Sequence, residues 1–282
     1  TSQDGTTIVV DRYGDGPPVI IVEGAFCDRQ TSMPLAELLA PHFTVFGYDR
    51  RGRGDSGDTQ PWAVEREIED LAAIITEAGG SAFVYGMSSG ALIGLEAAAR
   101  GLGVRRLAMY EPPLDLDGTH AAAMVPELTR LVEAGQRGDA VAHFMANGPQ
   151  IPGQVIAGMR TQPFWSGFEA IAHTLIYDNT IGGDRSVLQR APVVTVPVLV
   201  MAGGDTLPAL KDAAHALAGA VPGAAERTLD GQTHQVDVTL LAPRLIDFFD
   251  EGSNVTLLPY RSSAGAPSGT AGCAGRTGSR RR

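Results

Sequence analysis

The residues Tyr85-Gly86-Met87-Ser88-Ser89-Gly90 set a serine between two glycines at the spacing G-x-S-x-G. The run 82–85 reads as a buried strand and 89–100 as a helix, so Ser88 falls in the turn that joins them. So tight a turn needs neighbours without side chains where strand and helix backbones approach, and Gly86 and Gly90 supply them. Ser88 would then stand at the carboxyl end of a sheet, beside a helix amino end whose N–H groups favour developing negative charge. This arrangement suits nucleophilic attack on an acyl carbon; the plainer reading is a Gly/Ser turn that caps a helix.

A serine hydroxyl is a weak nucleophile near neutral pH and needs a base within hydrogen-bond reach. Of the six histidines, His234 in Leu229-Asp230-Gly231-Gln232-Thr233-His234 follows the last expected strand and precedes the last helix, which returns it to the sheet end that carries Ser88. His120, His143 and His173 fall in a long middle stretch, His42 precedes the third strand, and His215 reads as a helix residue. The base in turn needs an acid to hold its tautomer and stabilise its cation. Asp205, just beyond a strand in Met201-Ala202-Gly203-Gly204-Asp205-Thr206, is the first candidate. Glu111, at the end of the strand 104–110, is the second, and Asp237 the third.

Runs read as strands at 8–10, 19–22, 44–48, 82–85, 104–110, 196–201 and 226–229, most of them short and apolar, alternate with helical patterns at 34–39, 62–77, 89–100, 211–217 and 240–249. That alternation predicts an α/β protein, a mostly parallel sheet covered by helices on both faces. The stretch 114–190 breaks the pattern: roughly eighty residues read as helices and loops, far more than a crossover needs, and are expected to form a helical lid over one end of the sheet. The expected division is therefore a core of 1–113 with 191–252, a lid of 114–190, and a Gly/Ser-rich tail of 253–282 that lacks the apolar content to order itself.

From residue 8 to 249, about 85% of the chain, the sequence resembles the α/β-hydrolase superfamily, in particular its lid-bearing members of actinobacterial type. The likeness rests on the Ser88 turn, on Tyr48-Asp49-Arg50-Arg51-Gly52-Arg53-Gly54-Asp55-Ser56-Gly57, on Tyr110-Glu111-Pro112-Pro113 and on Gly231-Gln232-Thr233-His234. It implies the chain order Ser88, Asp205, His234 for nucleophile, acid and base. It also implies an oxyanion hole made by the backbone N–H groups of Ser89 and of Ala25 in Val22-Glu23-Gly24-Ala25-Phe26. The arginine-rich turn is read as structural, its charges paired locally.

The chain departs from the superfamily at Glu23-Gly24, where many members carry His-Gly. A carboxylate beside an oxyanion hole opposes the charge that the hole must stabilise, unless it points away or is protonated. Three readings follow: Glu23 faces the supporting loops and pairs with an arginine, it enters the cavity as a proton carrier, or it marks a site that is no longer hydrolytic. Expected substrate contacts are Phe26 and Met87 beside the hole and nucleophile, and Phe164, Trp165, Phe168, His173 and Tyr177 from the lid, where aromatic groups could line a pocket or simply pack the lid onto the core.

Composition narrows the field. The formal charge is −10, and five of the 22 basic residues lie beyond Gly252, where no acid occurs, so residues 1–252 carry −15. So acidic a body disfavours nucleic acid. No apolar run approaches a membrane span, the start has neither a basic nor an apolar leader pattern, and two cysteines imply no disulfide framework, all of which point to a cytoplasmic protein. No metal or cofactor is expected, since no HExxH, P-loop or strand-bound G-x-G-x-x-G pattern occurs. The expected partner is a small-molecule substrate, with a homodimer possible. The reading as a whole is a serine hydrolase acting on an ester, lactone or thioester of a small apolar molecule. The alternatives are a cofactor-free lyase, cyclase or C–C bond enzyme that uses Glu23, and a ligand-binding receptor.

Overall fold

A computed structural model describes residues 1–250; the expected tail at 253–282 lies outside the described residues. The chain runs β1 (Val10–Tyr13), β2 (Pro18–Val22), α1 (Arg29–Leu39), β3 (Thr44–Tyr48), α2 (Val64–Glu77), β4 (Ala82–Met87), α3 (Ser89–Ala99) and β5 (Val104–Tyr110). Six helices follow: α4 (Thr119–Glu133), α5 (Arg137–Asn147), α6 (Gly153–Met159), α7 (Trp165–Ala170), α8 (Thr174–Gly183) and α9 (Val187–Arg190). The core resumes with β6 (Val198–Gly203), α10 (Pro208–Ala220), β7 (Ala225–Leu229) and α11 (Val238–Phe249). The sheet order is β1-β3-β2-β4-β5-β6-β7, with β1 antiparallel and every other neighbour parallel.

Apolar residues alternate across the sheet and divide the core in two. Ile20, Val22, Val84 and Leu107 meet Leu71, Leu92 and Leu217 of α2, α3 and α10 on one face. Val19, Ile21, Phe83 and Tyr110 meet Leu35, Leu39, Leu245 and Phe249 of α1 and α11 on the other. The order reverses between β2 and β4, because β2 continues into β3 on one side while β4 begins the march in the opposite direction. Ligands of such sheets bind at that reversal, outside the carboxyl ends of the strands. The register aligns those ends: Val22 faces Gly86, Met87 faces Tyr110, and Tyr110 faces Met201.

Two boundaries differ from the sequence reading for identifiable reasons. Helix α1 begins five residues before Pro34, because Asp28 accepts from the Thr31 N–H at 3.0 Å while the Thr31 hydroxyl answers the Asp28 N–H, a reciprocal cap. The first strand is the edge run Val10–Tyr13 rather than 8–10. An edge strand paired on one side does not need a continuous apolar run, and Asp11 and Arg12 are tolerated there. The stretch between β5 and β6 is helical throughout its regular elements, and it carries its own small core of Met124, Leu128, Val141, Met145, Trp165 and Leu175. Ala25 and Phe26 of the loop after β2 pack against that core. No helix among the described residues is long and apolar enough to cross a membrane.

Candidate active site

Ser88 sits at φ 54° and ψ −127°, a left-handed conformation that non-glycine residues seldom adopt. The surrounding backbone imposes it. A Cβ on Gly86 would lie 2.4 Å from Ala91 Cα, and one on Gly90 would lie 2.1 Å from the Val22 carbonyl oxygen, so neither position admits a side chain. The Ser88 N–H donates to the Tyr110 carbonyl at 2.9 Å, which ties the turn to β5. Three of the four non-glycine residues with positive φ among those described, Phe26, Ser88 and Glu111, follow the ends of the adjacent strands β2, β4 and β5. Strain of this kind concentrates where function over-determines geometry.

His234 lies in the loop between β7 and α11, and the carboxyl that meets it is Glu111 rather than Asp205. His234 Nδ1 lies 2.6 Å from Glu111 Oε2. Glu111 is fully buried, and its Oε1 accepts from the Gly203 N–H at 2.7 Å while Oε2 also accepts from the Thr206 hydroxyl at 3.0 Å. The His234 loop is held by the Tyr110 hydroxyl, which donates to the Thr233 carbonyl at 2.6 Å. The expected Asp205–His234 pairing is therefore corrected to Glu111–His234. Asp205 is exposed, because β6 ends at Gly203 and the following turn presents Thr206 inward and Asp205 outward. What Asp205 gives the site is backbone: its N–H donates to the Gln232 carbonyl at 2.8 Å. Asp237 caps α11 through the Thr239 N–H. With Nδ1–H given to Glu111, Nε2 is left with the lone pair that a general base needs. Among the described residues Ser88 Oγ carries no hydrogen bond, and contacts of this type commonly tighten only around a substrate.

Gly24 brings the β2 loop against the serine: a Cβ there would lie 2.7 Å from Ser88 Cβ. The amides of Ala25 and Ser89, the expected oxyanion donors, have no hydrogen-bond partner among the described residues. Glu23 is buried next to them. Burial pushes its carboxyl up to about 7, against the smaller opposing pull of the Gly24 N–H, the Cys27 thiol and the more distant Arg53 charge. Burial and the neighbouring Glu23 in turn push the Cys27 thiol up to about 12. The Glu23–arginine pair, one of the three readings, is not formed: the two terminal nitrogens of Arg53 go to the Gly24 carbonyl and to Asp178.

The expected substrate contacts separate into two groups. Phe26 and Phe168 meet at a centroid distance of 4.6 Å, and Phe144, which sequence reasoning missed, closes the cluster at 5.4 Å from Phe26. Met87 is half-buried, 3.8 Å from the Tyr85 hydroxyl. Phe164 is half exposed and touches Phe168 at 5.6 Å. Trp165, His173 and Tyr177 are corrected to internal packing. Trp165 lies in the insertion core and donates to Glu169. Tyr177 stacks on Trp62 at 4.3 Å and donates to Asp58 at 2.9 Å. His173 stands between Arg137 at 2.9 Å and Asp58 at 3.3 Å. The arginine-rich turn also exceeds its local reading, since Arg50 and Arg53 reach Asp178 on α8, more than 120 residues away. The one sequence signal for that partner was an aspartate set in the otherwise uncharged helix 174–183.

A family model described as the alpha/beta hydrolase family matches residues 19–246. Among solved structures the chain is similar to an alpha/beta hydrolase from Sphaerobacter thermophilus, at 49% identity over 88% of this chain and 98% of that one, with a TM-score of 0.80. An enol-lactonase from Burkholderia xenovorans shares the fold at 24% identity and a TM-score of 0.64, over 87% of this chain and 97% of that one. A pimeloyl-[acyl-carrier protein] methyl ester esterase of Xanthomonas campestris is 37% identical over 101 residues, 36% of this chain and 38% of that protein. An uncharacterized hydrolase of Bacillus subtilis is 33% identical over 100 residues, 34% of this chain and 37% of that protein. These matches span less than two-fifths of the length of the curated relatives.

Proposed function

The chain belongs to the alpha/beta hydrolase family, and on that premise we propose that it is a serine hydrolase that cleaves an ester, lactone or thioester of a small, largely apolar molecule. The observation that carries this reading is that a strained Ser88 follows the end of β4 while Glu111, paired with His234, follows the end of the neighbouring β5. Ser88 Oγ attacks the acyl carbon while His234 Nε2 takes its proton; Glu111 fixes the imidazole and stabilises its cation. The Ala25 and Ser89 amides hold the oxyanion, each such donor being worth about 10² to 10³ in rate. The tetrahedral adduct then expels the alcohol or thiol, protonated by His234, and water activated by the same imidazole hydrolyses the acyl-serine. The Phe26, Phe144 and Phe168 cluster supports an apolar acyl or leaving group, and the relatives named as an ester-acting and a lactone-acting enzyme agree with the reaction class.

A fluorophosphonate probe tests the reading. Covalent labelling at Ser88, lost in Ser88→Ala, is the expected result; an unlabelled but folded wild type sinks it. A second reading has its own observation, the buried Glu23 whose carboxyl burial pushes up to about 7: the chain would be a cofactor-free lyase, cyclase or C–C bond enzyme in which Glu23 moves the proton. Glu23→Gln separates the two, since it abolishes a proton-transfer activity and leaves the hydrolysis of an activated ester in place.

A further inference from the structure

The serine-hydrolase reading leaves unexplained why three charges of one turn, Arg50, Arg51 and Arg53, are almost entirely buried. Arg51 is satisfied locally by Asp70 and Asp4. The other two behave differently. Arg50 forms a bidentate pair with Glu67, at 2.8 and 3.0 Å, and points its remaining nitrogen at three acceptors: the Glu23 carbonyl at 3.1 Å, the Ser89 hydroxyl at 2.9 Å and Asp178 at 2.9 Å. Arg53 donates from one nitrogen to the Gly24 carbonyl and from the other to both oxygens of Asp178, at 2.7 and 2.9 Å. The Ser89 hydroxyl completes the set by donating to Asp178 at 2.6 Å.

Three of these bonds, to the Glu23 carbonyl, the Gly24 carbonyl and the Ser89 hydroxyl, end on segments that supply a proposed oxyanion donor. The Gly24 carbonyl and the Ala25 N–H belong to the same peptide plane, which is rigid and trans, so a donor that fixes the oxygen also fixes the direction of the N–H on the opposite side. A cationic donor at that oxygen additionally polarises the peptide and strengthens its N–H. Ser89 supplies the second amide, and its hydroxyl is anchored between Arg50 and Asp178. Both halves of the hole therefore hang on one carboxylate carried by α8. Burial pushes that carboxyl up, but Arg53 and Arg50 outweigh burial and hold it below the usual carboxylate range, so it is present as an anion.

We infer that Asp178, working through Arg50 and Arg53, is a positioning residue for the oxyanion hole, so that the helical insertion sets the aim of the amides of Ala25 and Ser89. The inference rests on the serine-hydrolase reading above. Asp178 touches no reacting atom. Its role is to make the hole dependent on the insertion being seated, which ties catalytic competence to the closed arrangement of the two parts.

The test compares wild type, Asp178→Asn and Ser89→Ala with 4-nitrophenyl acetate as substrate and phenylboronic acid as a probe whose tetrahedral serine adduct places a hydroxyl in the hole. Ser89→Ala retains the Ser89 amide and leaves Arg50–Glu67 and Arg53–Asp178 paired, so it remains informative if Asp178→Asn does not fold. The expected result is a kcat about 10- to 100-fold lower in Asp178→Asn and about 5- to 10-fold lower in Ser89→Ala, with KM within about threefold and phenylboronate affinity falling in parallel with kcat. A folded variant with wild-type kcat, or a reduced kcat with unchanged phenylboronate affinity, overturns the inference. A wild type that neither takes a fluorophosphonate label nor turns over the ester overturns the serine-hydrolase reading itself. A wild type that does both, beside variants that match it, overturns the inference about Asp178 alone.

Discussion

Two glutamates follow the ends of two parallel strands of the same sheet, and they meet opposite surroundings. Glu111, after β5, and Glu23, after β2, are both withdrawn from solvent, at 0% and 8% exposure, so burial does not distinguish them. Their partners do. Glu111 is met by the Gly203 N–H, the Thr206 hydroxyl and His234. Three partners therefore converge on this one carboxyl. Glu23 has the Cys27 thiol and the Gly24 N–H and forms no ion pair among those of the described residues, and burial drives its carboxyl up to about 7. The lesson is that the same residue type, at equivalent ends of one sheet, meets very different surroundings according to the donors that the loops deliver.

The largest effect that would break this comparison is at Glu111. Glu111→Gln preserves size but removes the charge that His234 needs, and kcat should fall by about 10³ to 10⁴, the cost typical of losing a triad acid, with a stopped assay on 4-nitrophenyl acetate as the measure. A loss below tenfold would remove Glu111 from the relay.

Next is the stability attached to Glu23. In the unfolded chain this carboxyl ionises near 4.5 and in the folded chain near 7, so between those values the folded chain holds a proton that the unfolded chain has released. The stability contributed by the neutral form is complete below pH 4.5 and is lost as the pH climbs to about 7, a fall of about 3 kcal/mol. Glu23→Gln should flatten that part of the curve in urea titrations at pH 4.5, 6 and 7.5. An unaltered slope would mean that Glu23 is not the group responsible.

A smaller effect is expected at Thr206, which supplies one of three bonds to Glu111. Thr206→Val should lower kcat about tenfold, while Thr206→Ser, which keeps the hydroxyl, should stay within about threefold of wild type. Equal losses in both would assign the effect to packing. The smallest effect is reserved for Asp205, whose side chain faces solvent: Asp205→Asn should leave kcat/KM within about twofold. A thousandfold loss there would restore the acid that chain order first suggested.

The sheet and the Ser88 turn were legible because their causes are local. Runs such as 19–22 and 82–85 are apolar from end to end, and the two glycines around Ser88 encode a turn within five residues. His234 was legible too, since a histidine between the last strand and the last helix has one edge of the sheet to return to. The acid was not, because Asp205 and Glu111 each follow a strand next to the same loop. Which of them reaches the imidazole depends on how the chain turns after Gly203, and a one-residue difference there sends Thr206 inward and Asp205 out. The insertion's aromatics were similarly ambiguous: Tyr177 and Trp165 have the composition of a substrate wall, and it is stacking on Trp62 and bonding to Glu169 that draw them into packing.

By itself, then, the sequence determined the layered α/β architecture, the serine on its strained turn and the histidine loop, since each follows from periodicity or from glycine spacing over a few residues. The tertiary structure alone decided that Glu111 meets His234, that Glu23 is left without a cation, and that Arg50 and Arg53 spend their charge on Asp178 from a distant helix. The physical reason is one of range: backbone preference and hydrophobic period act between near neighbours, whereas the pairing of buried charges is settled by which side chains the packed layers bring within about 3 Å of one another.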